Sequence, residues 1–248
     1  MTETDSEQHR PTEFQPLYAQ VKALMTRRIA SGEWKPGSMI PNEFQLAAEY
    51  NVSQGTVRKA LMALEAARLI VRRQGRGTYV AQHTRELSLF HFFRLVGLDD
   101  RRLEPWSLVV SQRTVNATRE IARRLEIEKG TALHLISRVR TLDSVPAITE
   151  KIYTPTAMMP NLAIATGQDM LDEMYVIYQE RYSITIAHAS ERLAAVSAGS
   201  EDARLLQIEI GTPLLEITRV ARDVANTAVE LRISRCRTDQ FRYAAEVN

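Results

Sequence analysis

The chain has 248 residues, 25% charged and 44% hydrophobic, with a net charge of +2, a profile that fits a globular protein rather than a disordered or fibrous one. No apolar run approaches the roughly 18 residues that a membrane span needs. The polar, acidic opening MTETDSEQHRPTEF suits neither a secretory signal nor a transit peptide, and one cysteine, Cys236, excludes an internal disulfide framework and any multi-cysteine metal site. The length suits two domains in a cytoplasmic, nucleoid-associated protein.

Residues 1–14 read as a flexible arm. From Pro16, the residues Leu17, Val21, Leu24, Met25 and Ile29 recur at helical spacing until Ser31-Gly32 stops the helix, and Trp34-Lys35-Pro36-Gly37 is a turn. A second helix fits Asn42 to Tyr50 with Asn42 as its N-cap. Asn51 then tolerates the left-handed backbone of a tight turn. Ser53 caps a third helix running to about Ala67. The string LIVRRQGRGTYVA follows, two strands joined at Gly75-Arg76-Gly77. Helix, helix, tight turn, helix and basic hairpin make a winged helix-turn-helix over residues 15–81. Residues 82–97, with Leu87, Leu89, Phe90, Phe92 and Phe93, form a junction too apolar for a free linker, expected to pack on a domain or a second subunit.

Over residues 98–248 the pattern changes. Period-two stretches recur at Trp106–Val115, Ala132–Leu142, Ala147–Tyr153, Ile184–Val196, Leu214–Val224 and Ala228–Arg237. Helical stretches fall at Thr118–Leu125, Thr156–Ala165, Asp169–Arg181 and Ser200–Gln207. An α+β domain around a mostly antiparallel sheet is expected, with no internal repeat and no long low-complexity tract.

Charge is unevenly distributed. Between Gln54 and Arg76 lie Arg58, Lys59, Arg68, Arg72, Arg73 and Arg76 against Glu65 alone. On the third helix Val57, Ala60, Leu61 and Leu64 form the inner stripe, and Gln54, Gly55, Thr56, Arg58, Lys59 and Met62 face outward. The Ser53 and Thr56 hydroxyls at a helix start suit phosphate, Gln54 suits an adenine edge, and Arg58 suits guanine or phosphate. Glycines in the hairpin let its backbone approach the sugar-phosphate rail, with Arg72, Arg73 and Arg76 supplying charge.

These residues carry a resemblance. From LYAQVKALM through GSMIPNEFQLAAEYNVSQGTVRKAL to LIVRRQGRGTYV, the chain resembles the DNA-binding domain of the GntR family. The resemblance implies DNA contacts at Ser53, Thr56 and Arg58, and at Gln74 and Gly75 in the wing. Phe44 and Gln54 stand where relatives often carry arginine, and Gly55 replaces a larger residue, so the operator cannot be copied from the family. The remainder resembles the UTRA effector domain of the HutC subfamily. The carrying strings are GTALHLISRVRTLDSVPAITEKIY, RYSITIAHASERLAA, IGTPLLEITRVARD and VELRISRCRTDQFRY. It implies a chorismate-lyase-like fold, an antiparallel sheet flanked by helices, holding a ligand cleft without required catalysis.

Strand periodicity independently places Arg138 and Arg140 on one face, opposite Leu133, Leu135 and Val139. Glu230, Arg232, Ser234 and Cys236 share a face of the last strand, and Glu150 comes from the strand after the arginine pair. Arginines converging on a cavity suit a carboxylate or phosphate, making Arg138, Arg140, Glu150, Arg232 and Ser234 the candidate effector site. The alternative is a salt-bridged sheet surface, with Arg138–Glu150 a structural pair. Cys236 stands where relatives that bind phosphorylated sugars carry tyrosine, which weighs against a sugar phosphate, while the arginine-rich cleft favours an anionic metabolite such as a small organic acid. The histidines His9, His83, His91, His134 and His188 lack zinc-ligand spacing; His134 and His188 are expected to be packed or pocket-lining. No phosphate loop or nucleophile elbow is present, so no metal, cofactor or enzymatic role is expected.

The function expected is a homodimeric, metabolite-responsive repressor on a pseudo-palindromic operator, released by a small anionic ligand through the junction. The alternatives are a chorismate-lyase-like enzyme activity retained in the second domain, or an architectural DNA binder without effector.

Overall fold

The computed structural model describes residues 15–84, 92–167, 169–170 and 173–245. Residues 1–14, and Leu87, Leu89, Phe90 and His91 of the junction, lie outside them. Helix α1 (Leu17–Ala30) buries Val21, Met25 and Ile29 against α3 (Gln54–Ala66), which buries Val57, Ala60, Leu61 and Leu64. Between them α2 (Glu43–Glu49) starts from a capping box, in which Asn42 accepts from the Gln45 backbone and Gln45 answers from its side chain. Asn51 sits left-handed at φ 51°, and the Ser53 side chain caps α3. Strands β1 (Ile70–Arg73) and β2 (Gly77–Val80) then pair from Ile70↔Val80 to Arg73↔Gly77 as a wing. Gly75, at φ +69°, supplies the turn.

A two-stranded ribbon follows, β3 (Leu95–Gly97) with β11 (Phe241–Tyr243), tying the end of the junction to the end of the chain. The main sheet has the order β7-β4-β5-β6-β10-β9-β8, antiparallel throughout. Its strands are β4 (Trp106–Asn116), β5 (Ala132–Leu142), β6 (Val145–Pro155), β7 (Asp169–Met170), β8 (Ile186–Ser197), β9 (Pro213–Asp223) and β10 (Ala228–Arg237). Helices α4 (Arg119–Leu125) and α6 (Ser200–Leu206) lie on one face; α5 (Met174–Tyr182) packs on the other with Val109, Ile136, Ile152 and Val229. The winged helix-turn-helix followed by an antiparallel-sheet domain makes the α+β architecture expected above.

Three expectations need correction. The segment 156–165 is turns and extended chain. Pro160 removes a backbone donor, Asn161 is left-handed at φ 58°, and side chains from the sheet take over the freed polar groups. Gln112 bonds the Leu162 carbonyl and the Ile164 amide, and His134 bonds the Met159 carbonyl at 2.9 Å. The expected helix from Asp169 begins only at Met174, because Asp169–Met170 pair with β4 as an edge strand.

The third correction concerns repetition. Residues 117–139, ATREIARRLEIEKGTALHLISRV, recur 81 positions later at 198–220 as AGSEDARLLQIEIGTPLLEITRV. Helix and strand recur with them, Arg119–Leu125 as Ser200–Leu206 and Ala132–Leu142 as Pro213–Asp223. The backbone repeats in detail. Glu126 and Gln207 are both left-handed at φ 57°, Gly130 and Gly211 both sit at +88°, and the Thr131 and Thr212 hydroxyls donate to Glu128 and Glu209 carbonyls at 2.7 Å. The sheet is thus two copies of one unit, β4-β5-β6 and β8-β9-β10, joined antiparallel along β6 and β10. Interrupted identity and a different hairpin after each copy (Asp143-Ser144 against Val224–Thr227) hide the repeat in the linear string.

Candidate DNA-reading face and buried charge cluster

The start of α3 is open. Ser53, Gln54, Gly55, Arg58 and Lys59 are exposed, and the Ser53 hydroxyl lies 2.9 Å from that of Thr56 while accepting its amide at 3.2 Å. The free first-turn amides and these hydroxyls make an anion-seeking helix end. Arg58 and Arg72 are not free. Arg58 is bound by Glu43 at 2.9 Å, and Arg72 lies 3.2 Å from Glu65 and 3.7 Å from Glu43. Glu43 raises the Arg58 guanidinium above its ordinary value. Exposed pairs of this kind contribute little and exchange readily for phosphate. In the wing Gln74, Gly75 and Arg76 are exposed; Arg73 stacks 4.6 Å over the Tyr79 ring, whose hydroxyl donates to the Arg76 carbonyl at 3.0 Å. Phe44 is 70% exposed beside this face and Met62 is 58% exposed on it. A Cβ on Gly55 would meet nothing closer than Ser53 Oγ at 3.8 Å, so this glycine is not a steric requirement.

The second constellation is buried. Register sets Arg138 opposite Glu150 on β6, and Glu150 opposite Ser234 on β10. Arg138 Nε donates to Glu150 at 2.5 Å, Ser234 Oγ donates to its other oxygen at 3.0 Å, and Arg232 approaches at 3.9 Å. Arg232 is held by Glu230 at 2.9 Å, and Glu230 also accepts from the hydroxyls of Tyr178 at 2.7 Å and Tyr175 at 3.3 Å. Arg140 meets Glu173 at 2.5 Å, and Glu173 lies 4.0 Å from Arg138. The five candidate residues Arg138, Arg140, Glu150, Arg232 and Ser234 therefore converge on one face, together with Cys236.

Titration follows this geometry. Burial pushes the Glu150 carboxyl up, but Arg138, then Arg232 and Arg140, outweigh it and hold it well below the ordinary carboxylate range. Burial pulls Arg140 down to about 10 against the attraction of Glu173. Burial and the neighbouring Glu230 push Tyr175 up to about 12. The Cys236 thiol is raised far above its ordinary value, chiefly by burial, so it is a small core residue rather than a nucleophile.

Sequence reasoning missed Glu173, Arg219 and Glu191. Arg219 is the repeat's copy of Arg138; it pairs with Glu191 at 2.5 Å and donates to the Phe92 carbonyl of the junction. Tyr243 closes this group onto Glu191. The described part of the junction packs on the second domain. Phe92 meets Tyr175 edge-on at 4.9 Å, Phe93 lies 5.0 Å from the Arg140 guanidinium, and the His83 amide donates to Gln179 at 2.8 Å. Phe92, Arg94, Arg219 and Tyr243 line two cavities at once. One is a cleft of about 830 Å³ between the end of α3 and β8; the other is a space of about 40 Å³ against the charge cluster. His134 is packed and His188, though exposed, lines the cleft, as expected of the pair. Among the described residues no group of histidines, cysteines and carboxylates could hold a metal, and no helix is long and apolar enough to cross a membrane.

Comparison with known proteins matches residues 17–80 to the bacterial regulatory proteins of the gntR family and residues 100–242 to the UTRA domain. The HTH-type transcriptional repressor NagR of Bacillus subtilis is 29% identical over 230 residues, 92% of this chain and 93% of that protein. YurK of the same organism, an HTH-type transcriptional regulator, is 30% identical over 83% of this chain and 85% of its own length. Among solved structures, the ligand-binding domain of a GntR-family regulator from Bordetella bronchiseptica superposes with a TM-score of 0.60 at 26% identity, covering 64% of this chain and 98% of that one.

Proposed function

The chain belongs to the gntR family of bacterial regulatory proteins and carries a UTRA domain, and from that premise we propose a metabolite-responsive transcriptional repressor that does no catalysis. The observation that carries the reading is the pairing of an open, hydroxyl-rich start of α3 with a buried arginine–glutamate cluster in the second domain. Residues 15–81 are the reader, 82–97 the junction and 98–248 the sensor. Ser53, Gln54, Thr56, Arg58, Lys59, Arg72, Gln74, Gly75 and Arg76 contact the operator. Arg138, Arg140, Glu150, Arg232 and Ser234 hold a small anionic effector. Two copies of the chain, acting in the cytoplasm, place two α3 helices on a pseudo-palindrome whose spacing their symmetry sets.

The mechanism follows from the shared wall. A ligand that enters the small cavity must displace Phe92 and Arg94, and these two residues also line the cleft behind α3. Ligand and operator therefore favour different placements of the junction, with a coupling of about 1–3 kcal/mol. The named repressor among the relatives supports repression.

Footprinting the purified protein on DNA upstream of its own gene tests this reading. A two-fold symmetric footprint is expected, lost in Arg58→Ala and released by a metabolite from wild type but not from Arg138→Ala. An asymmetric footprint, or equal release from both, overturns it.

A further inference from the structure

Among the described residues the cluster is electrically balanced. Arg138, Arg140, Arg219 and Arg232 face Glu150, Glu173, Glu191 and Glu230, four cations against four anions, with Arg94 exposed at the rim. An anionic ligand added to this set leaves a surplus negative charge in a site where water is scarce, which is strongly unfavourable. The space is also small, about 40 Å³, room for no more than a few water molecules. A metabolite can enter only if something leaves, and charge balance requires that it be a carboxylate.

The four carboxylates are not equally bound. Glu150 has Arg138 and the Ser234 hydroxyl, Glu230 has Arg232 and two tyrosine hydroxyls, and Glu191 has Arg219 and Tyr243. Among the described residues Glu173 has only guanidinium contacts, to Arg140 and more distantly to Arg138, and among these acids it alone comes from outside the sheet. It occupies the N-cap position of α5 and makes no capping bond, its longer side chain reaching the arginines instead. Its side chain is drawn off its helix and onto the arginines. On the other side of the seat, the Nε of Arg140 is buried without a hydrogen-bond partner among the described residues, so Glu173 satisfies this cation incompletely.

We propose that Glu173 is an internal stand-in for the effector's anionic group, so that the effector's oxyanion replaces the Glu173 carboxylate on Arg140 and Arg138. The inference rests on the effector reading of the cleft and names its ligand class: a metabolite with one compact oxyanion, phosphate or carboxylate, able to accept from two guanidinium groups. Exchange of one anion for another keeps the cluster neutral and fills the unused donor of Arg140. It also frees the start of α5 from the sheet, which opens the room that a ligand larger than its oxyanion needs. Glu173 thereby sets a threshold: only a ligand that outcompetes a tethered carboxylate binds.

The test uses the full-length chain as wild type, Glu173→Gln and Glu173→Ala, with inorganic phosphate and acetate as probes. Calorimetric titration and thermal unfolding are read at constant ionic strength. Both variants are expected to bind a probe at least tenfold more tightly than wild type, and Glu173→Ala to be stabilised saturably by the added anion. The gain should vanish when Arg140→Ala is added to either variant. Phosphate ahead of acetate assigns a phosphorylated ligand and the reverse an organic acid; both uphold the proposal. Variants that fold, judged by circular dichroism, and bind neither probe better than wild type overturn it. So does a gain that survives Arg140→Ala. Operator release is measured separately: a metabolite that releases wild type and Arg138→Ala alike refutes the effector reading without touching the oxyanion result.

Discussion

Replacing Arg138 by methionine isolates the central pair. Methionine matches much of the side chain's volume, so the loss is chiefly electrostatic. The arginine side chain is fully buried and its Nε lies 2.5 Å from a carboxylate whose side chain is only 5% exposed. Breaking a buried pair from one side costs about 3–5 kcal/mol. Here Glu150 keeps the Ser234 hydroxyl at 3.0 Å and Arg232 at 3.9 Å, which favours the lower end, about 3 kcal/mol at pH 7. The pH dependence has a definite sign. Glu150 in the wild type is held below its ordinary value of 4.5, so its contribution is present above that value and is lost as pH falls through the folded value. Without Arg138 the largest charge opposing burial is gone and the carboxyl rises, with Arg232 and Arg140 still holding part of the shift, so the variant is expected to take up a proton at higher pH than the wild type. Its deficit therefore shrinks between pH 7 and pH 5, by about 1.4 kcal/mol for each unit of upward shift traversed. Urea unfolding at both pH values measures this. Trp34 and Trp106 lie one in each domain, and a Trp34→Phe background leaves the emission to β4. A cycle with Glu150→Gln should give a coupling of about 2 kcal/mol. A deficit under about 1 kcal/mol at pH 7, one that is constant with pH, or a coupling near zero would refute the reasoning.

Arg58→Ala should weaken operator binding by about 1–3 kcal/mol and, if the contact is to phosphate, lower the salt slope by about one, both readable by fluorescence anisotropy across a salt series. Gly55→Ala should stabilise the reader by about 0.5–1 kcal/mol, since α3 is regular there and the added Cβ finds 3.8 Å of room; thermal unfolding followed at Trp34 checks it. Cys236 should resist a disulfide exchange reagent at pH 8 in the folded chain and react at once in urea, because its thiol is buried and raised above its ordinary value. Reaction of the native protein within seconds would contradict that placement.

The reader was legible because each of its signals is local. Asn42, Asn51 and Ser53 are cap and turn residues whose chemistry acts within three or four positions, and the α3 stripe repeats at helical spacing. The strands carrying Arg138, Arg140, Glu150, Arg232 and Ser234 were legible for the same reason, since a period of two assigns faces without knowledge of neighbours. Partners were not. That Glu173 meets Arg140 depends on where α5 crosses the sheet, a separation of 33 residues that no local pattern encodes. The segment at Met158, Met159, Leu162 and Ile164 imitates a helix because its apolar side chains must reach one core, and Gln112 and His134 supply the hydrogen bonds that let it do so as extended chain. Arg219 was within reach. The string GTPLLEITRV set under GTALHLISRV identifies it as the second Arg138.

That doubling has an evolutionary consequence. Once a unit exists twice in one sheet, its copies are relieved of identical duties, and the same arginine has taken two of them. In the first copy Arg138 stands over the charge cluster; in the second, Arg219 grips the Phe92 carbonyl of the segment leading back to the reader. On the proposed effector reading, the cluster draws on both copies, Arg138, Arg140 and Glu150 from the first and Arg232 and Ser234 from the second, while the grip on the Phe92 carbonyl comes from the second alone. If Arg138, Arg140 and Glu150 hold the effector as proposed, changes around them retune what is sensed while Arg219 and Glu191 keep the link to the junction, so one scaffold serves many ligands with a single way of reporting them.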